Sequence, residues 1–138
     1  MSESAFQLDP RLAADTVGIA ALPLCDLRLM NDARYVWLIL VPRRAGMVEI
    51  TDLTEDEQAM LWQEVNRAGT ALRAVTPCDK LNLGALGNIV RQLHVHLLAR
   101  CEGDPAWPGP VWGHSAPVTY PAKDLAALID ALRHQLDA

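Results

Sequence analysis

The segment Gln92-Leu93-His94-Val95-His96-Leu97 alternates polar and apolar side chains. On an extended strand, side chains two apart share a face, which groups Gln92, His94 and His96 and turns Leu93, Val95 and Leu97 the other way. With the apolar three buried, two imidazoles project from the opposite side with Cβ atoms roughly 6.5–7 Å apart. That is close enough for both to touch one phosphate group. A neutral imidazole is a good nucleophile near neutrality, because its reference pKa of about 6.5 leaves it largely unprotonated. Attack on phosphorus gives a phosphoramidate from which the imidazole departs readily, so one difficult displacement becomes two easier ones. The second histidine then stands ready to donate to a phosphate oxygen or to the departing group.

Other residues extend this chemistry. The glycine-punctuated stretch from Asn82-Leu83-Gly84 to Gly87-Asn88 can bring backbone amides and two carboxamides against the same oxygens. Arg100, in phase with His96, and Arg91 nearby are candidates for local positive potential. Two plainer readings stay open. H-x-H is also a metal-ligand spacing, but a metal needs a third or fourth ligand, and His114 or Asp104 supplies one only if the chain folds back. A strand histidine is also commonly a partly buried polar residue, and Asn82 and Asn88 taken alone are ordinary turn residues. No metal and no cofactor is expected. His134, on the last predicted helix, is expected to face solvent.

Composition narrows the class. A chain of 138 residues with 51% hydrophobic content predicts a single domain over residues 1–138. The leading residues show no basic stretch followed by an apolar run, and no segment approaches the roughly 20 apolar residues of a membrane span. The expectation is a soluble, cytoplasmic protein with no membrane association. Cys25, Cys78 and Cys101 lie far apart without C-x-x-C spacing, so neither a disulfide framework nor a zinc ribbon is indicated. A net charge of −5 argues against a broad nucleic-acid surface, which needs a basic face.

The elements that must position the histidines follow from punctuation and periodicity. Asp9-Pro10 predicts a capped short helix across Arg11–Thr16. Two strands near Cys25–Met30 and Tyr35–Val41, joined by a turn at Asn31-Asp32-Ala33, predict a hairpin. The second is apolar on both faces and is expected to be central and covered. Thr54-Glu55-Asp56-Glu57 has capping-box spacing and opens a helix to about Val75, with Leu61, Val65, Ala68, Leu72 and Val75 as its apolar stripe. Pro77 ends it. Leu81–Leu83 and Leu93–Leu98 predict two further strands, and a last helix is expected over Ala122–Leu136. The sum is an α+β domain: an antiparallel sheet of about five strands with helices packed on one face.

With those elements in place, the chain resembles the histidine triad (HIT) family, nucleotide hydrolases and transferases with the motif H-φ-H-φ-H-φ-φ, where φ is apolar. The matching stretch is Gly87-Asn88-Ile89-Val90-Arg91-Gln92-Leu93-His94-Val95-His96-Leu97-Leu98-Ala99-Arg100. The resemblance reaches upstream through Asp52-Leu53-Thr54 and the long helix to Leu38-Ile39-Leu40-Val41-Pro42-Arg43-Arg44, spanning roughly residues 25–100, with a loop and helix over 101–138 beyond it. It implies a HIT-like fold and a nucleophilic His94 attacking the α-phosphate of a nucleotide conjugate of the phosphoramidate or dinucleoside polyphosphate type. It further implies His96 on the phosphate and leaving group, and a homodimer. Gln92 falls on the first histidine of the motif; a carboxamide holds geometry but cannot titrate near neutrality. Trp37 also stands where many relatives carry a histidine, and Ala45 where the family often has one after the basic pair. Asn31 or Asp32 is the candidate for ribose contact, and Trp107, in the proline-fixed loop 104–113 with Trp112, is a candidate wall for a nucleobase. The alternatives are a nucleotide-binding module with little or no catalysis, or a metal site on His94 and His96.

Overall fold

The computed structural model describes residues 6–137; residues 1–5, whose reading as free of a leader falls there, and residue 138 lie outside the described residues. Helix α1 spans Pro10–Asp15, capped by the Asp9 side chain, which accepts from the Arg11 amide. It ends one residue earlier than expected, because Thr16 is already extended. Strands β1 (Thr16–Ala21), β2 (Cys25–Met30) and β3 (Val36–Pro42) follow, then helix α2 (Glu55–Val75), β4 (Lys80–Gly84), β5 (Val95–Arg100) and helix α3 (Ala122–Leu136). All strand pairs are antiparallel, in the order β1-β2-β3-β5-β4. The doubly apolar β3 is therefore the middle strand of five.

Period two sorts the side chains of the central strands. Leu38, Leu40, Val95, Leu97 and Ala99 face α2 and α3 and close a core with Leu61, Ala68, Leu72, Ile129 and Leu132. Trp37, Ile39, Val41 and Leu98 face the other way and pack with Leu12 of α1 and with Ala106 and Val111 of the following loop. The reciprocal Thr54–Glu57 capping box opens α2 as its spacing predicts. No described helix is long and apolar enough to cross a membrane.

Besides the earlier end of α1, two strands depart from the sequence-based expectation. Strand β1 has no counterpart there: a register shift between Gly18 and Ala20 breaks the alternation that would have marked it. Strand β5 begins at Val95 instead of Leu93. Pairing stops there, with Leu40 opposite Val95 on β3 and Gly84, the last residue of β4, opposite His96. The Leu93 amide donates instead to the Met47 carbonyl, at 3.0 Å.

Candidate active site

His96 lies in β5, directly opposite Ile39 and Gly84, and His94 lies just before the strand begins. Their rings meet edge to face, with centroids 4.9 Å apart. Both residues are buried to 6% exposure. They line a cavity of about 440 Å³ together with Arg11, Leu12 and Asp15 of α1, Trp37 of β3, Gly87 and Asn88 of the β4–β5 loop, and Trp112. Of the predicted residues, His94, His96, Gly87 and Asn88 come together here.

Each ring is fixed by its Nδ1, and the two partners are of opposite kind. His94 Nδ1 lies 2.7 Å from the Gln92 carbonyl oxygen. A carbonyl can only accept, so Nδ1 carries a proton, and in the neutral ring Nε2 keeps its lone pair. Nδ1 of His96 lies 3.0 Å from Nε1 of Trp37. An indole nitrogen can only donate, so here Nδ1 is the acceptor and the ring proton sits on Nε2. Burial, and secondarily the charge that His94 carries when protonated, press the His96 pKa down to about 3. His96 is thus neutral at physiological pH, with an N–H to offer at Nε2. One ring presents a lone pair and the other a donor.

Three features hold the cavity walls. Trp112 stands edge-on to His96, with centroids 5.5 Å apart. It also lies over Gly84, where a Cβ would come within 3.2 Å of its ring, so that position admits no side chain without displacing the indole. The β4–β5 loop turns at Gly87, whose φ of +67° suits glycine. Gln92 bonds at both ends of its carboxamide: Oε1 accepts from the Asp9 amide and Nε2 donates to the Gln7 carbonyl, both at 2.8 Å. It pins the segment leading into α1, and so the wall bearing Arg11 and Asp15, while its main-chain carbonyl orients His94.

The remaining predicted residues lie elsewhere. Arg100 is in phase with His96 but does not project a free charge at the cavity: at 1% exposure it is saturated by Asp104, Asn82 and the Gly109 carbonyl, at 2.8–2.9 Å. Asn82 is therefore occupied as an acceptor for Arg100, and Trp107 lies under the same guanidinium, 5.7 Å from it. This cluster anchors the loop that carries Trp112. Asn31 and Asp32 line an adjoining cavity of about 470 Å³, which shares Asp15, Met30, Trp37 and Gly113 with the first. There Asp32 is ion-paired with Arg34 at 2.8 Å, and the Asn31 side chain accepts from the Tyr120 amide. Arg91 borders a smaller hollow beside His94. His134 is exposed, and among the described residues no three His, Cys, Asp or Glu side chains gather as metal ligands.

Sequence reasoning missed α1 as a cavity wall and Trp37 as the partner of His96. The first depends on the long-range Gln92 contacts. The second depends on the β3–β5 register, which puts Trp37 diagonal to His96.

Comparison with known proteins agrees with this architecture. The family model described as HIT domain matches residues 11–103. The crystal structure of a histidine triad protein from Sinorhizobium meliloti is 48% identical, covers 98% of this chain and 100% of its own, and superposes with a TM-score of 0.95. One from Bradyrhizobium japonicum is 50% identical, with coverage of 96% and 98% and a TM-score of 0.94. One from Marinobacter aquaeolei is 45% identical, with 96% of each chain covered and a TM-score of 0.93. No curated protein matches the sequence significantly.

Proposed function

Because the chain belongs to the HIT domain family, we propose that it is a nucleotide hydrolase or nucleotidyl transferase acting through a covalent nucleotidyl group on His94. The observation that carries this reading is the opposed pair of ring protonations: a bare Nε2 on His94 beside an Nε2–H on His96, on two rings lining one cavity. His94 attacks the α-phosphorus, and its Nδ1–H, held by the Gln92 carbonyl, stabilises the positive charge that develops on the ring. His96 donates to a phosphate or leaving-group oxygen. The Gly87–Asn88 turn stands against the same space and is read as a further holder of phosphate oxygens. Gln92 takes the first histidine position of the family motif as an orienting residue with no proton to relay.

The adjoining cavity at Asn31 and Asp32 is large enough, and continuous enough with the first, to receive the nucleoside. Water entering after the leaving group departs would make the enzyme a hydrolase; another acceptor would make it a transferase. A homodimer is part of the same reading, supported by the edge position of β4 and the open groove beside it at Val65, Gly69 and Leu81.

Nucleotide release from a nucleoside phosphoramidate and from a dinucleoside polyphosphate, followed for the native protein and for His94→Ala, tests the reading. Release that disappears in His94→Ala supports it, and undiminished release in that variant ends it. Tight mononucleotide binding with no product from either compound would leave a binding module instead.

A further inference from the structure

We propose that Trp37 makes this site selective for leaving groups that depart as anions, by holding His96 as a neutral ring that offers a hydrogen bond but no proton. The inference rests on the reading that His94 attacks phosphorus, and it narrows the substrate class of that site. Trp37 acts through His96 and is a positioning residue.

The geometry blocks protonation directly. An imidazolium has N–H groups on both nitrogens. With the Trp37 indole N–H already aimed at His96 Nδ1 at 3.0 Å, a proton there would set donor against donor. The surroundings do nothing to offset that conflict. The His96 ring is packed by the rings of Trp37, Trp112 and His94, with centroids 5.6, 5.5 and 4.9 Å away. Strand β3 and the loop after β5 therefore contribute indoles, and β4 contributes Gly84 opposite. Among the described residues, the one titratable side chain in ring contact with His96 is His94, whose charge when protonated lowers the His96 pKa further, after burial. Beyond them, the charged residues of the cavity are Arg11 and Asp15 on α1. Arg11 is engaged by Asp9 and the Ile89 carbonyl. The Gln92 carboxamide, bonded to backbone at both ends, has no acidic proton.

The consequence lies in what each leaving group requires. In a phosphoanhydride, the lone pair of His94 Nε2 forms the N–P bond, the bridging P–O bond breaks, and its electron pair departs on a phosphate oxygen that needs no proton. His96 Nε2–H stabilises that oxygen by a hydrogen bond. Water then attacks phosphorus, the N–P pair returns to His94 Nε2, and the water proton passes to solvent. In a phosphoramidate the departing nitrogen must take up a proton as the P–N bond breaks, and neither His96 nor Gln92 supplies one. General acid assistance is worth about 10²–10⁴-fold, so amine conjugates should lag by at least that lower figure.

The test measures kcat and KM for matched adenosine 5′-phosphoryl conjugates, diadenosine tetraphosphate against an alkylamine phosphoramidate, in the native protein and in Trp37→Phe, Trp37→His and Asp15→Asn. The proposal predicts kcat/KM favouring the anhydride by about 100-fold or more, with the difference in kcat. It also predicts a gap about tenfold smaller in Trp37→Phe, which has no ring N–H, and likewise in Trp37→His, whose ring nitrogen can accept from a protonated His96 Nδ1. Nitrogen NMR of the native protein supplies a readout independent of variant folding: His96 Nδ1 unprotonated and Nε2 protonated, unchanged on acidification to about pH 5. Equal turnover of the two conjugates, amine turnover abolished in Asp15→Asn, or a doubly protonated His96 near neutrality would each overturn it while leaving His94 as nucleophile. Turnover of neither conjugate, with no adduct on His94, would instead remove the underlying reading and the proposal with it.

Discussion

His94 and His96 meet edge to face at 4.9 Å, and their Nδ1 atoms are committed to partners of opposite polarity, a carbonyl oxygen and an indole N–H. The division of labour between the rings follows from those two bonds. His96→Ala should therefore lower kcat by about 10²–10³-fold, the usual loss for removing one donor to a developing oxyanion. KM should change little. Steady-state kinetics on a nucleotide anhydride separates the two effects.

Burial of His96 also makes stability depend on pH. Its folded pKa, near 3, lies below the ordinary 6.5, so the unfolded chain binds the proton more readily. The stabilising contribution is complete above about pH 6.5 and is lost as pH falls toward the folded value. Between about pH 7 and pH 4 the loss should be on the order of 2–3 kcal/mol. Denaturant titrations of the native protein and His96→Gln at both pH values would show it as a slope the variant lacks.

Arg100 and Asp104 form a buried bidentate pair that anchors the Trp112 loop. Arg100→Met strands the Asp104 carboxylate and should cost about 3–5 kcal/mol, whereas Arg100→Met with Asp104→Leu should recover much of that loss. Thermal unfolding of the two variants measures the difference.

Glu64, at 5% exposure inside the apolar stripe of α2, accepts the amides of Leu24 and Cys25 at 2.8 Å each. Glu64→Gln turns one acceptor into a donor facing a donor and should cost about 1–3 kcal/mol. Chemical denaturation, with the slope unchanged, would register this as a shifted midpoint.

Cys25 lies in the same core, and burial, with Glu64 beside it, pushes its thiol well above the ordinary range. Under native conditions a thiol-alkylating reagent should label Cys78 and Cys101, both partly exposed, long before Cys25. Peptide mass mapping after timed labelling would contradict this if Cys25 reacted first.

The histidine pair was legible because period two sets positions 94 and 96 side by side, although the strand itself begins at Val95, and α2 because its cap and stripe are local. Residues that act across the chain were not. Arg100 has the right phase to approach a phosphate, but phase does not reveal that Asn82 on β4 and Asp104 beyond the strand claim its guanidinium first. Glu64 reads as an interruption of a stripe until the amides 39 and 40 residues away are known. Trp107 and Trp112 share one loop, yet only Trp112 lies against His96, because the Arg100 cluster draws Trp107 to itself.

The most direct measurement is the site of covalent attachment during turnover. Protein mixed with diadenosine tetraphosphate, quenched in base, where phosphorus–nitrogen bonds survive, and mapped by mass spectrometry should carry one adenylyl group on the peptide containing His94. His94→Ala should carry none. An adenylyl group on any other residue, or product formed at the native rate by His94→Ala, would contradict it.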